Sequence, residues 1–120
     1  MGYHNASTGK FGETYAREYY EMRGFHIIAT NVRSRFGELD LVIEKGDHMW
    51  FVEVKTRYGI TKGRPYEAFT PKKSAAMRRA INYYLLVKKR QSKKYSLRVF
   101  AIILKSNGAV QEARDYEVQY

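Results

Sequence analysis

The stretch GELDLVIEKGDHMWFVEVKTR, residues 37–57, decides the fold of this chain. Two runs rich in strand-forming residues, 38–45 and 49–56, flank Gly46–Asp47, a turn dipeptide, so the stretch reads as a β-hairpin. Strand side chains alternate faces with period two. That alternation puts Leu39, Leu41 and Ile43 on one face of the first strand and Glu38, Asp40 and Val42 on the other. In the second strand Trp50, Val52 and Val54 share one face, and Phe51, Glu53, Lys55 and Arg57 share the other. A turn at Gly46–Asp47 sets Asp40 roughly opposite Glu53. The hairpin thus carries three charges, Asp40, Glu53 and Lys55, inside its strands and on one side.

A half-exposed sheet with polar groups facing water would show the same alternation. Here, however, the charges are concentrated, with Glu53 and Lys55 only ~6–7 Å apart along the strand. Val42 and Phe51 also share their face, so that face is not simply solvated. Two carboxylates this close repel unless a cation lies between them. Hard oxygen ligands of this kind suit Mg²⁺ or Mn²⁺, either of which would polarise a phosphoryl oxygen and acidify a bound water. A neighbouring lysine stabilises developing negative charge or orients that water.

Outward from the hairpin the chain reads as alternating helices and strands. Residues 8–23 have helical spacing, with Phe11, Tyr15, Tyr19 and Met22 expected to face the core and Gly24 to stop the helix. Residues 25–33 read as the first strand. Residues 57–69 hold two glycines and a proline and read as a mobile loop. Residues 70–90 form the clearest helix, with Thr70 as N-cap, Pro71 in the first turn, and Met77, Ala80, Ile81, Tyr84 and Leu85 as its buried stripe. Residues 96–104 are nearly all apolar, the mark of a strand covered on both faces. Asn107–Gly108 signals a further hairpin, and the tail supplies a fifth strand. The order is α-β-β-β-α-β with a last β. The helix before strand four is long enough to cross over and set that strand parallel to strand three. The expected fold is therefore α/β (α+β), a mixed, mainly antiparallel sheet flanked by helices, in one domain spanning 1–120.

Composition narrows the partners. Lys and Arg number 22 against 12 Asp and Glu, a net charge of +10. Thirteen of those bases but a single acid, Glu67, fall within residues 55–94. A polyanion is the natural partner, nucleic acid before an anionic membrane. Cysteine is absent, which excludes disulfides and thiolate metal sites. His4, His26 and His48 are too scattered for a zinc site. No signal-peptide core and no apolar run of the ~18–20 residues of a membrane span is present, so a cytoplasmic protein is expected. Most of the 11 tyrosines suit core or boundary positions, although aromatic rings also stack on unpaired bases.

The hairpin resembles the D-x(n)-E-x-K signature of the PD-(D/E)XK nuclease superfamily, the restriction-endonuclease-like fold. Most of the chain resembles the YraN-like family of endonuclease-like bacterial proteins. The matching residues are Gly9, Gly12, Glu13 and Ala16; Asn31 and Arg33; Gly37, Glu38 and Asp40; and Phe51 through Arg57. Two positions depart from the pattern. Leu39 precedes Asp40 where the superfamily's name has proline, and Arg98-Val99-Phe100-Ala101 stands where the family usually reads Arg-Phe-Asp-Val.

The resemblance implies Asp40 and Glu53 as metal ligands for Mg²⁺ or Mn²⁺ and Lys55 as the residue assisting the attacking water. It also implies Glu13 as the additional acid found in archaeal Holliday junction resolvases of this superfamily. Glu13 shares a helical stripe with Ala16 and Tyr20, although a carboxylate there also suits the first turn of a helix. Arg33, Arg57, Lys62, Arg64, Lys72, Lys73, Arg78 and Arg79 are the residues expected to hold nucleic-acid phosphates without reading sequence. The expected function is metal-dependent hydrolysis of phosphodiester bonds in DNA rather than RNA, in branched or single-stranded substrates, with a homodimer as the form a junction resolvase would need. A nucleic-acid-binding protein with a vestigial site and a peripheral membrane or interaction domain are the competing readings.

Overall fold

A computed structural model describes residues 2–61, 63–90 and 94–118, with side chains from residue 8 onward. The elements are α1 (Gly2–Met22), β1 (His26–Ser34), β2 (Gly37–Lys45), β3 (His48–Tyr58), a 3₁₀ turn (Pro65–Ala68), α2 (Pro71–Val87), β4 (Lys94–Leu104) and β5 (Val110–Glu117). The strands form one sheet in the order β1-β2-β3-β4-β5. Strands β1, β2 and β3 make an antiparallel meander, β4 runs parallel to β3, and β5 returns antiparallel to β4. This mixed α/β architecture matches the sheet expected from the element order and is consistent with the restriction-endonuclease-like core that the resemblance implies. Among the described residues no helix is long and apolar enough to cross a membrane.

Each sheet face packs its own core. On one face Leu41, Ile43, Val52, Phe100, Ile102 and Leu104 meet Ala16 and Tyr20 of α1. On the other, Val42, Met49, Phe51 and Leu97 meet Met77, Ala80, Ile81, Tyr84 and Leu85 of α2, the stripe read from helical spacing. Thr70 caps α2 by accepting a hydrogen bond from the Lys73 amide (3.2 Å), and Pro71 fills the first turn, where no amide is needed.

Four details differ from the sequence reading. The α1 core face is carried by Gly12, Ala16 and Tyr20, with Tyr15 and Tyr19 at its margin; Phe11 is 42% exposed and Met22 is 84% exposed. Packing explains this, because the helix lies close to the sheet: a Cβ on Gly12 would collide with Thr56 Oγ1. Small residues therefore form the contact line and the larger rings flank it.

The helix also begins at Gly2 rather than at residue 8. Next, Leu39 packs with Val42 and Phe51 on the α2 face, not with Leu41. The β1–β2 ladder pairs Thr30 with Leu41 and Val32 with Leu39, passing over Asn31 and Asp40, and Asn31 has a left-handed φ of 50°. Such a local irregularity breaks the period-two alternation at Asp40.

Finally, the 57–69 segment is anchored. Pro65 is buried in the 3₁₀ turn, the Arg64 amide donates to Glu67 Oε1 (2.7 Å), Arg64 pairs with Glu112 (2.9 Å), and the Tyr66 and Tyr116 rings meet at 4.6 Å. Sequence composition carries no trace of the β5 partners that hold this segment.

Candidate active site

The irregularity in β2 and the edge of α2 create one polar site at the end of the α2-side core. The β2–β3 ladder ends at Leu41–Val52. Just beyond it, Asp40 turns its own side chain into the gap, and the Val54 amide donates to Asp40 Oδ2 (2.9 Å). Glu53 and Lys55 follow on β3, next in register to Val99 and Ala101 of β4. The Asp40 and Glu53 carboxyls lie close enough for each to act on the other's titration.

The electrostatics show groups held away from their usual states. Burial raises the Asp40 pKa, and the charges of Glu38 and Glu13 raise it further, against the lowering effect of the Val54 amide. Glu53 is raised to about 7, by burial first and then by the Asp40 charge, with Lys55 and Lys73 working the other way. Lys55 is lowered, by burial first and then by Arg57 and Lys73. Two half-buried carboxyls whose charges oppose each other thus lie beside a group of three bases, Lys55, Arg57 and Lys73.

The donor set suits Mg²⁺ or Mn²⁺: two hard carboxylates close together and no soft ligand. Among the described residues no group of three or more His, Cys, Asp or Glu converges as a metal cage. A Mg²⁺ or Mn²⁺ ion held here would therefore have Asp40 and Glu53 as its side-chain ligands, and such ions commonly keep several waters.

Glu13 reaches the site through a neighbour. Asn31 Nδ2 donates to Glu13 Oε1 (2.8 Å), which ties α1 to the irregular strand opposite Asp40, and Glu13 is close enough for its charge to act on Asp40. Asn31 belongs to the Asn-x-Arg motif; its left-handed backbone and its link to Glu13 were not legible from spacing.

The basic residues divide into two groups. Arg57 and Lys73 lie beside Lys55 and act on its charge. Lys73 also lines the hollows next to Glu53, a closer role than the phosphate contact expected of it. Lys72 and Arg79 are exposed on α2, and Arg78 is half-buried beside Phe69 and Val118. Arg33 pairs with Glu38 (3.2 Å) while staying largely exposed, and the half-exposed Arg64 pairs with Glu112 (2.9 Å), so each already meets a carboxylate. Lys62 lies outside the described residues.

Phe100, which stands where an acid was expected, is fully buried among Tyr15, Tyr19 and Tyr20 on the α1 face. It therefore sits across the sheet from Glu53 and Lys55. Asp115, the β5 residue paired with Phe100 in register, is an acid on that side. Asp115 accepts hydrogen bonds from Arg98 Nη1 (2.7 Å) and from the Tyr20 hydroxyl (2.8 Å). This network was missed by the sequence reading, because it depends on the alignment of β5.

A family model described as Uncharacterised protein family UPF0102 matches residues 12–114, a span that includes every site residue from Glu13 to Arg79. The chain belongs to this family. Similar members include the UPF0102 protein of Dictyoglomus thermophilum, 34% identical over 106 residues that cover 88% of this chain and 90% of that protein. The UPF0102 protein of Syntrophus aciditrophicus is 38% identical over 104 residues (87% and 82%), and that of Syntrophomonas wolfei is 44% identical over 81 residues (68% and 70%).

Proposed function

We propose that this UPF0102 protein is a metal-dependent endonuclease of the YraN-like branch of the PD-(D/E)XK superfamily, hydrolysing phosphodiester bonds in DNA with Mg²⁺ or Mn²⁺. The observation that carries this reading is the meeting of Asp40 and Glu53, both raised in pKa, beside a Lys55 that is lowered. Strained titratable groups of this kind cluster at functional sites. The basic surface of residues 55–94 gives a substrate polyanion a reason to approach.

Asp40 and Glu53 would hold the cation, which when bound polarises a phosphoryl oxygen and acidifies a water. Asp40 is oriented for this by the Val54 amide. Lys55 stabilises the negative charge that grows on the phosphate as the bond to the attacking oxygen forms. Glu13, fixed by Asn31, adds negative charge beside Asp40 and strengthens the hold on a cation. Arg57 and Lys73 receive the phosphates on either side.

The test is cleavage of single-stranded, duplex, flapped and four-way DNA with Mg²⁺, Mn²⁺ or EDTA. Asp40→Ala and Glu53→Ala are each expected to lose about 10³-fold or more in rate, a barrier increase of about 4 kcal/mol, while still binding DNA. Lys55→Ala is expected to lose about 10²-fold with metal affinity little changed. An Asp40→Ala/Glu53→Ala double variant that cuts at the wild-type rate would sink the assignment. Salt-sensitive binding with no cutting under any metal would make the protein a binding module instead.

A further inference from the structure

A hollow of about 170 Å³ opens beside Glu53, bounded by Phe36 and Gly37 on the β1–β2 turn and by Phe69, Lys73 and Ala76 at the start of α2. That is several times the roughly 30 Å³ one water takes in the liquid. Its walls are two aromatic rings and small residues; its charged members are Lys73 and the carboxyls Glu53 and Glu38. Glu53, Phe69 and Lys73 also border a narrow cleft of about 10 Å³ that contains Lys55, so the aromatic wall lies directly beside the reactive groups.

The wall is built rather than incidental. The Phe36 ring packs on Tyr83 of α2 at 5.5 Å and carries the Arg35 guanidinium at 4.9 Å. The Phe36 amide donates to Ser34 Oγ (3.1 Å), which sets the turn. Phe69 is fixed from the other side, its amide donating to the Tyr66 carbonyl (3.0 Å) where the 3₁₀ turn meets α2.

We propose that this hollow receives an unpaired nucleobase of a DNA strand whose phosphate lies at Lys55 and Lys73. The inference rests on the nuclease reading and names its substrate class. A plain hydrocarbon ligand would leave Lys73 and Glu53 without partners. A nucleotide offers both a flat ring for the aromatic wall and an anion for the lysines. A base within a duplex is covered on both faces by its neighbours and cannot enter, so the hollow selects single-stranded or frayed DNA near the cut.

Fluorescence titration of oligonucleotides that carry 2-aminopurine, in EDTA so that nothing is cut, tests this directly. The wild-type protein is expected to change the 2-aminopurine signal on a single strand and to bind that strand more tightly than duplex. Phe36→Leu and Phe69→Leu keep apolar bulk but remove the ring; each is expected to weaken single-strand binding about 5- to 150-fold and leave duplex binding within about twofold. Phe69→Tyr keeps a stacking ring and should keep single-strand binding. Urea unfolding of each variant verifies that it is folded. Folded Leu variants that bind single strands like the wild type, or that lose single-strand and duplex affinity equally, overturn the base slot and leave the nuclease reading standing. A wild-type protein that binds neither form of DNA overturns both.

Discussion

The two faces of the sheet each carry a cluster of ionisable groups, and the clusters are in opposite states. Under α1, Arg98 pairs with Asp115 at 2.7 Å and Glu117 at 3.5 Å, and the Tyr20 hydroxyl donates to Asp115. Burial pushes the Tyr20 pKa far up, and Asp115 pushes it further, so the hydroxyl keeps its proton and the bond. Each charge there meets an opposite one or a donor. On the α2 face, Asp40 meets Glu53, and Lys55 meets Arg57 and Lys73. Acids and bases are neighbours there too, but burial and the like charges outweigh their attraction, so the pKa values move the wrong way for a resting ion-pair network. The first cluster closes a core; the second keeps its charges poorly compensated, as the proposed metal and phosphate site requires.

If that contrast holds, equally drastic substitutions in the two clusters fail in different ways. Asp115→Ala leaves Arg98 and the Tyr20 hydroxyl without their shared acceptor in a largely buried place. The expected cost is about 3 kcal/mol of folding stability, read by urea denaturation. Cleavage per folded molecule should stay within about twofold of wild type. Asp40→Ala should do the reverse, abolishing cleavage while relieving repulsion. If Asp115→Ala instead costs cleavage as Asp40→Ala does and leaves stability intact, the division between the faces is wrong.

A smaller effect follows from Glu53. Its folded pKa, about 7, lies above the ordinary value of 4.5. A raised carboxyl prefers its proton in the folded state, so its contribution to stability is whole below about pH 4.5 and is lost as pH rises through about 7. Glu53→Gln keeps the uncharged form throughout. The metal-free variant should therefore match wild type near pH 4.5 and exceed it by about 1–3 kcal/mol near pH 8, by thermal or urea unfolding. Adding Mg²⁺ or Mn²⁺ should raise the wild-type midpoint most at the higher pH and barely move the variant. Identical pH profiles for the two proteins would mean that Glu53 is an ordinary solvated carboxylate.

How much of this was legible in the sequence depends on the range of the interaction that decides it. The α2 cap and stripe follow from local signals, Thr70, Pro71 and the spacing of Met77, Ala80, Ile81, Tyr84 and Leu85, and these match the structure. The parallel placement of β4 follows from the length of the crossover helix and the apolar run. The α1 face could not be read by size alone, because close approach at Gly12 favours small residues over Phe11 and Met22. The side taken by Leu39 was hidden by the irregularity at Asn31 and Asp40, which period-two counting cannot register. Within the site, Asp40, Glu53 and Lys55 share one hairpin and were visible together. Lys73, Phe36 and Phe69 join them only through tertiary packing, and composition alone could not rank Lys73 above Arg64.

That last pair gives the smallest expected effect. By sequence, Arg64 and Lys73 are equivalent members of one basic segment. In the fold, Arg64 is held by Glu112 at 2.9 Å and Arg114 also reaches that carboxylate (3.0 Å), whereas Lys73 stands at Glu53 and Lys55. A phosphate contact releases counterions and adds about 0.9 to the magnitude of the slope of log K against log salt. Lys73→Ala should therefore reduce that slope by about one for any DNA, with a few-fold loss of affinity at moderate salt. Arg64→Ala should leave it unchanged, because DNA would first have to draw the guanidinium away from Glu112. Equal changes for the two variants would show that the whole basic segment acts as a diffuse field. In that case the pairing of Arg64 would not set it apart, and the placement of Lys73 beside the carboxylates would contribute nothing to binding.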